Sequence, residues 1–134
     1  MKVDFAFLAD SADAINGKIY VMGGAFDTIW AKQAPVIHPK LSLVLRLKLD
    51  PAEMDRPHNF EIIVMDEDGK NVAKVAAPIE VKKNPQNYKG WQQSFLTVIH
   101  FINLNFARFG DYNFRIVINN TEHESISLRI AQTA

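Results

Sequence analysis

Leu41-Ser42-Leu43-Val44-Leu45-Arg46-Leu47-Lys48-Leu49 decides the fold. Leucine occupies every second position, so an extended backbone gathers all the leucines on one face and Ser42, Val44, Arg46 and Lys48 on the other. A helix would scatter the same leucines around its circumference. The stretch is a strand, and its leucine face needs a second layer to cover it.

The same test extends toward the C-terminus. Tyr112, Phe114, Ile116 and Ile118 fall together opposite Asn113, Arg115 and Val117, and Ile126, Leu128 and Ile130 fall together opposite Ser125, Ser127 and Arg129. Between the two runs, Asn119-Asn120-Thr121-Glu122 supplies residues that tolerate left-handed backbone, which predicts a hairpin. Phe60 to Asp66 and Asn71 to Val81 read as a further pair of strands joined through Asp66-Glu67-Asp68-Gly69-Lys70. Phe95 to Ile102 is apolar on both faces and is therefore expected at the centre of a sheet.

Toward the N-terminus, Val3, Phe5 and Phe7 alternate, Asn16-Gly17 makes a turn, and Lys18 to Met22 forms a short strand before a bend at Gly23-Gly24. Ser11 to Ile15 is expected to form a single helical turn capped by Asp10 or Ser11. Pro35, Pro39, Pro51 and Pro57 are placed in loops, because each lacks a donor that a central strand needs. The pattern of about eight short strands separated by turn signals predicts an all-β fold, a single antiparallel β-sandwich with immunoglobulin-like, Greek-key connections. Phe106 to Phe114 sharpens that expectation, since an inward-facing Tyr112 opening a strand after a loop resembles a tyrosine corner. Residues 1–134 are read as one domain.

Composition narrows the chemistry. At 48% hydrophobic and 22% charged, the 134-residue chain can bury a core without staples. Its 15 basic and 15 acidic side chains cancel, so no net field draws nucleic acid or an anionic membrane surface, and neither is expected as a partner. Lys82, Lys83 and Lys89 have the density of an ordinary solvated loop. The absence of cysteine removes disulfides, thiolate metal sites and a thiol nucleophile. With no signal-like or membrane-length apolar run, a cytoplasmic location is expected.

Catalytic patterns are sparse. His38, His58, His100 and His123 never fall at a spacing that sets two imidazoles on one face, and the serines lack a nucleophile-elbow context. His100, inside a strand, is read as a hydrogen-bonded core or interface residue. Asp66, Glu67 and Asp68 beside Gly69 offer hard oxygen ligands, yet Lys70 follows at once and an acidic hairpin tip explains them better. No catalytic, cofactor or metal residues are assigned. The stronger signal is apolar: Phe26, Trp30, Val36, Ile37, Tyr88 and Trp91 lie in loop-rich segments and are the candidate interface residues.

The motifs Val3-Asp4-Phe5-Ala6-Phe7-Leu8-Ala9-Asp10, Asn16-Gly17-Lys18-Ile19-Tyr20-Val21-Met22-Gly23-Gly24, Asp27-Thr28-Ile29, Asp66-Glu67-Asp68-Gly69 and Gly110-Asp111-Tyr112-Asn113-Phe114-Arg115 span nearly the whole chain. Together they resemble a family of short, uncharacterised bacterial proteins classed as a domain of unknown function. The resemblance implies a bacterial, stand-alone β-sandwich and brings no activity or site residues. The expected role is a non-enzymatic protein-binding or self-assembling module of a cytoplasmic complex; a carrier of a small ligand, lipid or sugar, is the alternative.

Overall fold

The computed structural model describes all residues, 1–134, and carries nine strands: β1 (Lys2–Ile15), β2 (Lys18–Gly24), β3 (Thr28–Ala31), β4 (Val36–Leu49), β5 (Pro57–Asp66), β6 (Asn71–Glu80), β7 (Gln93–Phe106), β8 (Gly110–Ile118) and β9 (Thr121–Gln132). They form a four-stranded sheet ordered β2-β1-β4-β7 and a five-stranded sheet ordered β3-β9-β8-β5-β6. Every pairing is antiparallel except β3 with β9. The fold is all-β, relieved only by a 3-10 turn at Pro51–Glu53.

The alternation at residues 41 to 49 explains how the sheets meet. Leu41, Leu43, Leu45, Leu47 and Leu49 are each 0% exposed and join Phe60, Ile62, Val64, Phe114, Ile116, Leu128 and Ile130 of the other sheet in one apolar cluster. Full burial of one such side chain is worth roughly 1.5–3 kcal/mol, which makes this cluster the main source of stability. Two aromatic contacts cross between the layers, Phe101 on Phe114 at 5.5 Å and Phe106 on Tyr112 at 4.8 Å, both edge to face. The Tyr112 hydroxyl donates to the Arg108 carbonyl at 2.7 Å, the bond expected of a tyrosine corner.

Three local expectations need correction. Ser11 to Ile15 stays extended, because it pairs with β2 from Ser11 opposite Met22 to Ile15 opposite Lys18. The hairpin closes through Asn16 and Gly17, both at positive φ (52° and 73°), as a two-residue turn with matching twist requires. Pro57 opens β5 opposite Glu80, where a strand's first residue can lack a donor, and Pro39 lies inside β4, so neither is in a loop. Pro39 is tolerated there because β1 pairs with β4 only as far as Ala9 opposite Ser42, and Asn103 facing it on β7 takes a left-handed φ of 52°. Lastly, β7 is an edge strand and not a central one, with β4 as its sole hydrogen-bonded neighbour.

The far end of β1 does not continue alongside β4. Ala12 and Ile19 instead pack with Val44, Leu96 and Val98, and Ala14 and Gly17 line a cleft with Arg46, Ser94 and Leu96. The β1–β2 hairpin is thus an arm folded over the outer face of the four-stranded sheet. Gly24 permits its close return, since a Cβ there would stand 2.6 Å from Val21 and 3.3 Å from the Phe7 ring.

Candidate functional site

The six candidate interface residues separate into two places. β4 runs for 14 residues, roughly 45 Å at the usual rise per residue. Near its start, Trp30 and Ile37 flank the loop 32–35 and stand 65% and 58% exposed. Phe26 and Val36 lie close by in sequence but pack against the main core, and Val36 pairs with Phe106. Beyond its far end, Tyr88 and Trp91 are 70% and 59% exposed, with ring centroids 4.5 Å apart and tilted by 52°. The structure therefore leaves Trp30, Ile37, Tyr88 and Trp91 facing outward, brings only Tyr88 and Trp91 into contact, and withdraws Phe26 and Val36 into the margin of the core.

Tyr88 and Trp91 border a cleft of about 290 Å³ with Pro51, Met54, Asn84 and Lys89. Its loop is built by side-chain amides. Gln93 donates to the Lys82 carbonyl at 2.8 Å and accepts from the Asn84 amide at 2.8 Å, and Asn84 caps the Gln86 amide at 3.0 Å. These bonds hold the segment against the start of β7 and leave both aromatic rings facing water. Glu80 pairs with Lys82 and pulls its ammonium above the ordinary value, so Lys82 is not a free cation at this rim.

One side-chain set has the composition of a nucleophilic site. The Ser42 Oγ lies 3.1 Å from His100 Nδ1, and His100 Nε2 lies 4.0 Å from a carboxylate oxygen of Asp13 on the arm. Its geometry does not suit attack. Ser42 is 0% exposed, and it sits in register with Ala9 on one side and His100 on the other, so its backbone belongs to the ladder and offers no amides for an oxyanion. His100 acts as a hydrogen-bonded surface residue that satisfies a buried hydroxyl. Residues 42 and 100 are brought together by sheet pairing alone, and nothing local in the sequence announces the pair.

His58 is the buried histidine, at 4% exposure. Its Nε2–H donates to the Glu53 carbonyl at 2.6 Å, and its Nδ1 accepts from the Asn119 side-chain amide at 2.9 Å. Asn119 also accepts from the Asn59 amide at 3.0 Å, so the β8–β9 turn is tied to the start of β5. This is a satisfied structural network, which the sequence reading missed because its members lie far apart along the chain.

The acidic tip is occupied by its own turn. Asp66 accepts from the amides of Asp68 and Lys70, both at 2.9 Å, and Arg108 reaches Asp68 and, at 3.6 Å, Asp66. The hydrogen bond from Arg108 holds the Asp68 carboxyl below the usual aspartate range and raises the guanidinium in return. Asp111 raises Arg129 in the same way on the neighbouring strands. No group of three or more His, Asp or Glu side chains gathers closely enough to hold a metal ion. No helix is long and apolar enough to cross a membrane.

Fold and surface together define a class: a two-sheet, all-β protein with large aromatic and aliphatic side chains exposed at its surface. A family model, Family of unknown function (DUF6941), matches residues 4–131, and the chain belongs to that family. No curated protein and no solved structure matches the chain.

Proposed function

We propose that the protein is a non-enzymatic protein-binding or assembly module of a bacterial cytoplasmic complex, built on an immunoglobulin-like Greek-key sandwich. The topology supports the fold reading. A first strand paired in one sheet, a short follower paired parallel to the last strand of the other, and a tyrosine corner before the penultimate strand are features that sandwich family combines. The observation that carries the function is the exposure of Trp30, Ile37, Tyr88 and Trp91 beside a core already closed by 20 buried side chains. Exposed aromatics are among the residue types that dominate interface centres.

The test is affinity purification of the tagged chain from its native cell, set beside Trp30→Ser/Ile37→Ser and Tyr88→Ser/Trp91→Ser double variants. Loss of a defined set of proteins, or of untagged copies of the chain itself, in one variant supports the module. An identical recovered set from all three counts against it.

The cleft beside Tyr88 and Trp91 favours one second reading, a sugar ligand, since two exposed rings with amide side chains at the rim suit the alternating apolar and hydroxylated faces of a pyranose. A lipid is less well served, because the space between the sheets is filled by side chains at 0–1% exposure. Titration of neutral oligosaccharides against Trp91 fluorescence in a Trp30→Phe background decides it: a saturable change supports a sugar site, and a flat trace removes it.

A further inference from the structure

β7 has the sequence of a central strand and the position of an edge strand, and we infer that a second copy of this chain supplies the missing neighbour. None of the 14 residues from Gln93 to Phe106 carries a formal charge, in a chain where 22% of residues do. Both faces of the strand are apolar: Phe95, Ile99 and Phe101 pack toward the main core, while Leu96 and Val98 pack with the outer cluster and Ile102 stands 64% exposed. Side chains of this kind belong inside a sheet. Yet no hydrogen bond outside the β4 ladder reaches the backbone from Ser94 to Phe106.

The other edges are guarded in the usual ways. β6 carries Pro78, Lys74 and Glu80; β3 is four residues long; β2 is half the length of β7, seven residues against 14, with Lys18 at its start and Gly23-Gly24 at its end. On β7 the devices sit only at the two ends, with Gln93 tied to the loop at Lys82 and Asn84, and Asn103 held at a left-handed φ of 52°. Between them, Ser94 to Ile102 turns the amides and carbonyls of alternate residues outward with no partner.

Self-pairing suits that row. An antiparallel pair centred on Val98 sets Phe95 opposite Phe101 of the partner subunit, Leu96 opposite His100 of the partner subunit, and Thr97 opposite Ile99 of the partner subunit. No like charges meet, and about eight to ten backbone hydrogen bonds form, two for each hydrogen-bonded residue pair. A heterologous strand would find no charge on β7 to select it, whereas a second copy is complementary by symmetry. Such a pair joins two four-stranded sheets into one. It rests on the assembly role proposed above and names the partner and the surface. One strand pair is a small interface, below about 1,200 Å², so micromolar rather than nanomolar dimerisation is expected.

Sedimentation of the purified chain across a concentration series tests the idea. The wild type is expected to reach twice its 15.2 kDa mass. Ile102→Lys and Ser94→Lys place a charge on exposed positions of the edge and should weaken dimerisation roughly tenfold or more, with the thermal melt of the monomer little changed. Because the chain has no cysteine, Val98→Cys should cross-link to a covalent dimer on mild oxidation, and Met22→Cys on the β2 edge should not. A wild type that stays at 15.2 kDa at every concentration overturns the proposal, as does a dimer that both lysine variants leave intact. The wider module survives a monomeric wild type if native partners are still lost with the Trp30 or Trp91 variants. Conversely, a β7 dimer whose end patches recover nothing removes those patches and leaves the edge standing.

Discussion

The four-stranded sheet buries both of its faces, but by different means. Its inner face meets another sheet along the whole leucine row, and every leucine from 41 to 49 is sealed within a cluster of 20 residues. Its outer face is covered only by a two-stranded arm, which seals Ala9, Ala12 and Val44 and leaves Leu96, Val98, Phe5 and Phe7 partly open around them. A full layer makes a cooperative core, whereas a hairpin contributes a patch that can open without it. The difference separates the part of the molecule that holds the fold from the part free to change shape or partner.

The largest effect should come from the inner face. Leu45→Ala removes a fully buried side chain from the middle of the row and should cost about 2–5 kcal/mol, much of the stability of a protein this size. Urea unfolding followed by circular dichroism measures it. A loss under about 1 kcal/mol would mean that the leucine row is not the cooperative core, and the contrast between the faces would go with it.

On the outer face the expected loss is smaller and local. Ala12→Asp sets a carboxylate beneath the arm, where Ala12 is 2% exposed against Val44. The arm can lift to hydrate that charge, so the global cost should stay near 1–2 kcal/mol instead of the full penalty for a buried charge. Hydrogen exchange should quicken across residues 10–24 while β5 and β8 keep their protection. Faster exchange in β5 and β8 as well would show that the arm belongs to the core's cooperative unit.

How much was legible in the sequence follows the same division. Period two reveals which side chains share a face, so the inner row, the β8–β9 hairpin and the Asn16-Gly17 turn could all be read from local residues. It does not reveal who the neighbour is. Placing β7 at an edge, bending β1 over Val44, and joining Ser42 to His100 or His58 to Asn119 depend on pairings between residues 58 or 61 positions apart, for which a single chain carries no local signal. Of the candidate interface residues, Trp30, Ile37, Tyr88 and Trp91 face outward, and local sequence could not tell that Trp30 and Ile37 belong to strands or that Phe26 and Val36 turn inward. β7 is the instructive miss. Its apolar pattern called for two neighbours, and the monomer supplies one.

The smallest effect separates the core's outer corner from the core itself. Tyr112 hangs from the Arg108 carbonyl while the Arg108 guanidinium holds Asp68, so the ion pair braces the loop that the tyrosine pins. The hydrogen bond from Arg108 lowers the Asp68 carboxyl in the folded chain, which fixes the sign: the folded state prefers the ionised form, and any stability this adds is present above the ordinary aspartate value near 4. It fades as pH falls through the depressed folded value, because the protonated carboxyl no longer attracts the guanidinium. Asp68 is fully exposed and its partner half so, hence solvent screening keeps the contribution small. Thermal melts of the wild type and Asp68→Asn from pH 7 downward should show a slight advantage for the wild type at neutral pH that disappears in acid. An advantage that persisted in acid would assign it to the shape of the turn, where Asp66 alone caps the amides of Asp68 and Lys70, and not to the charge of Asp68.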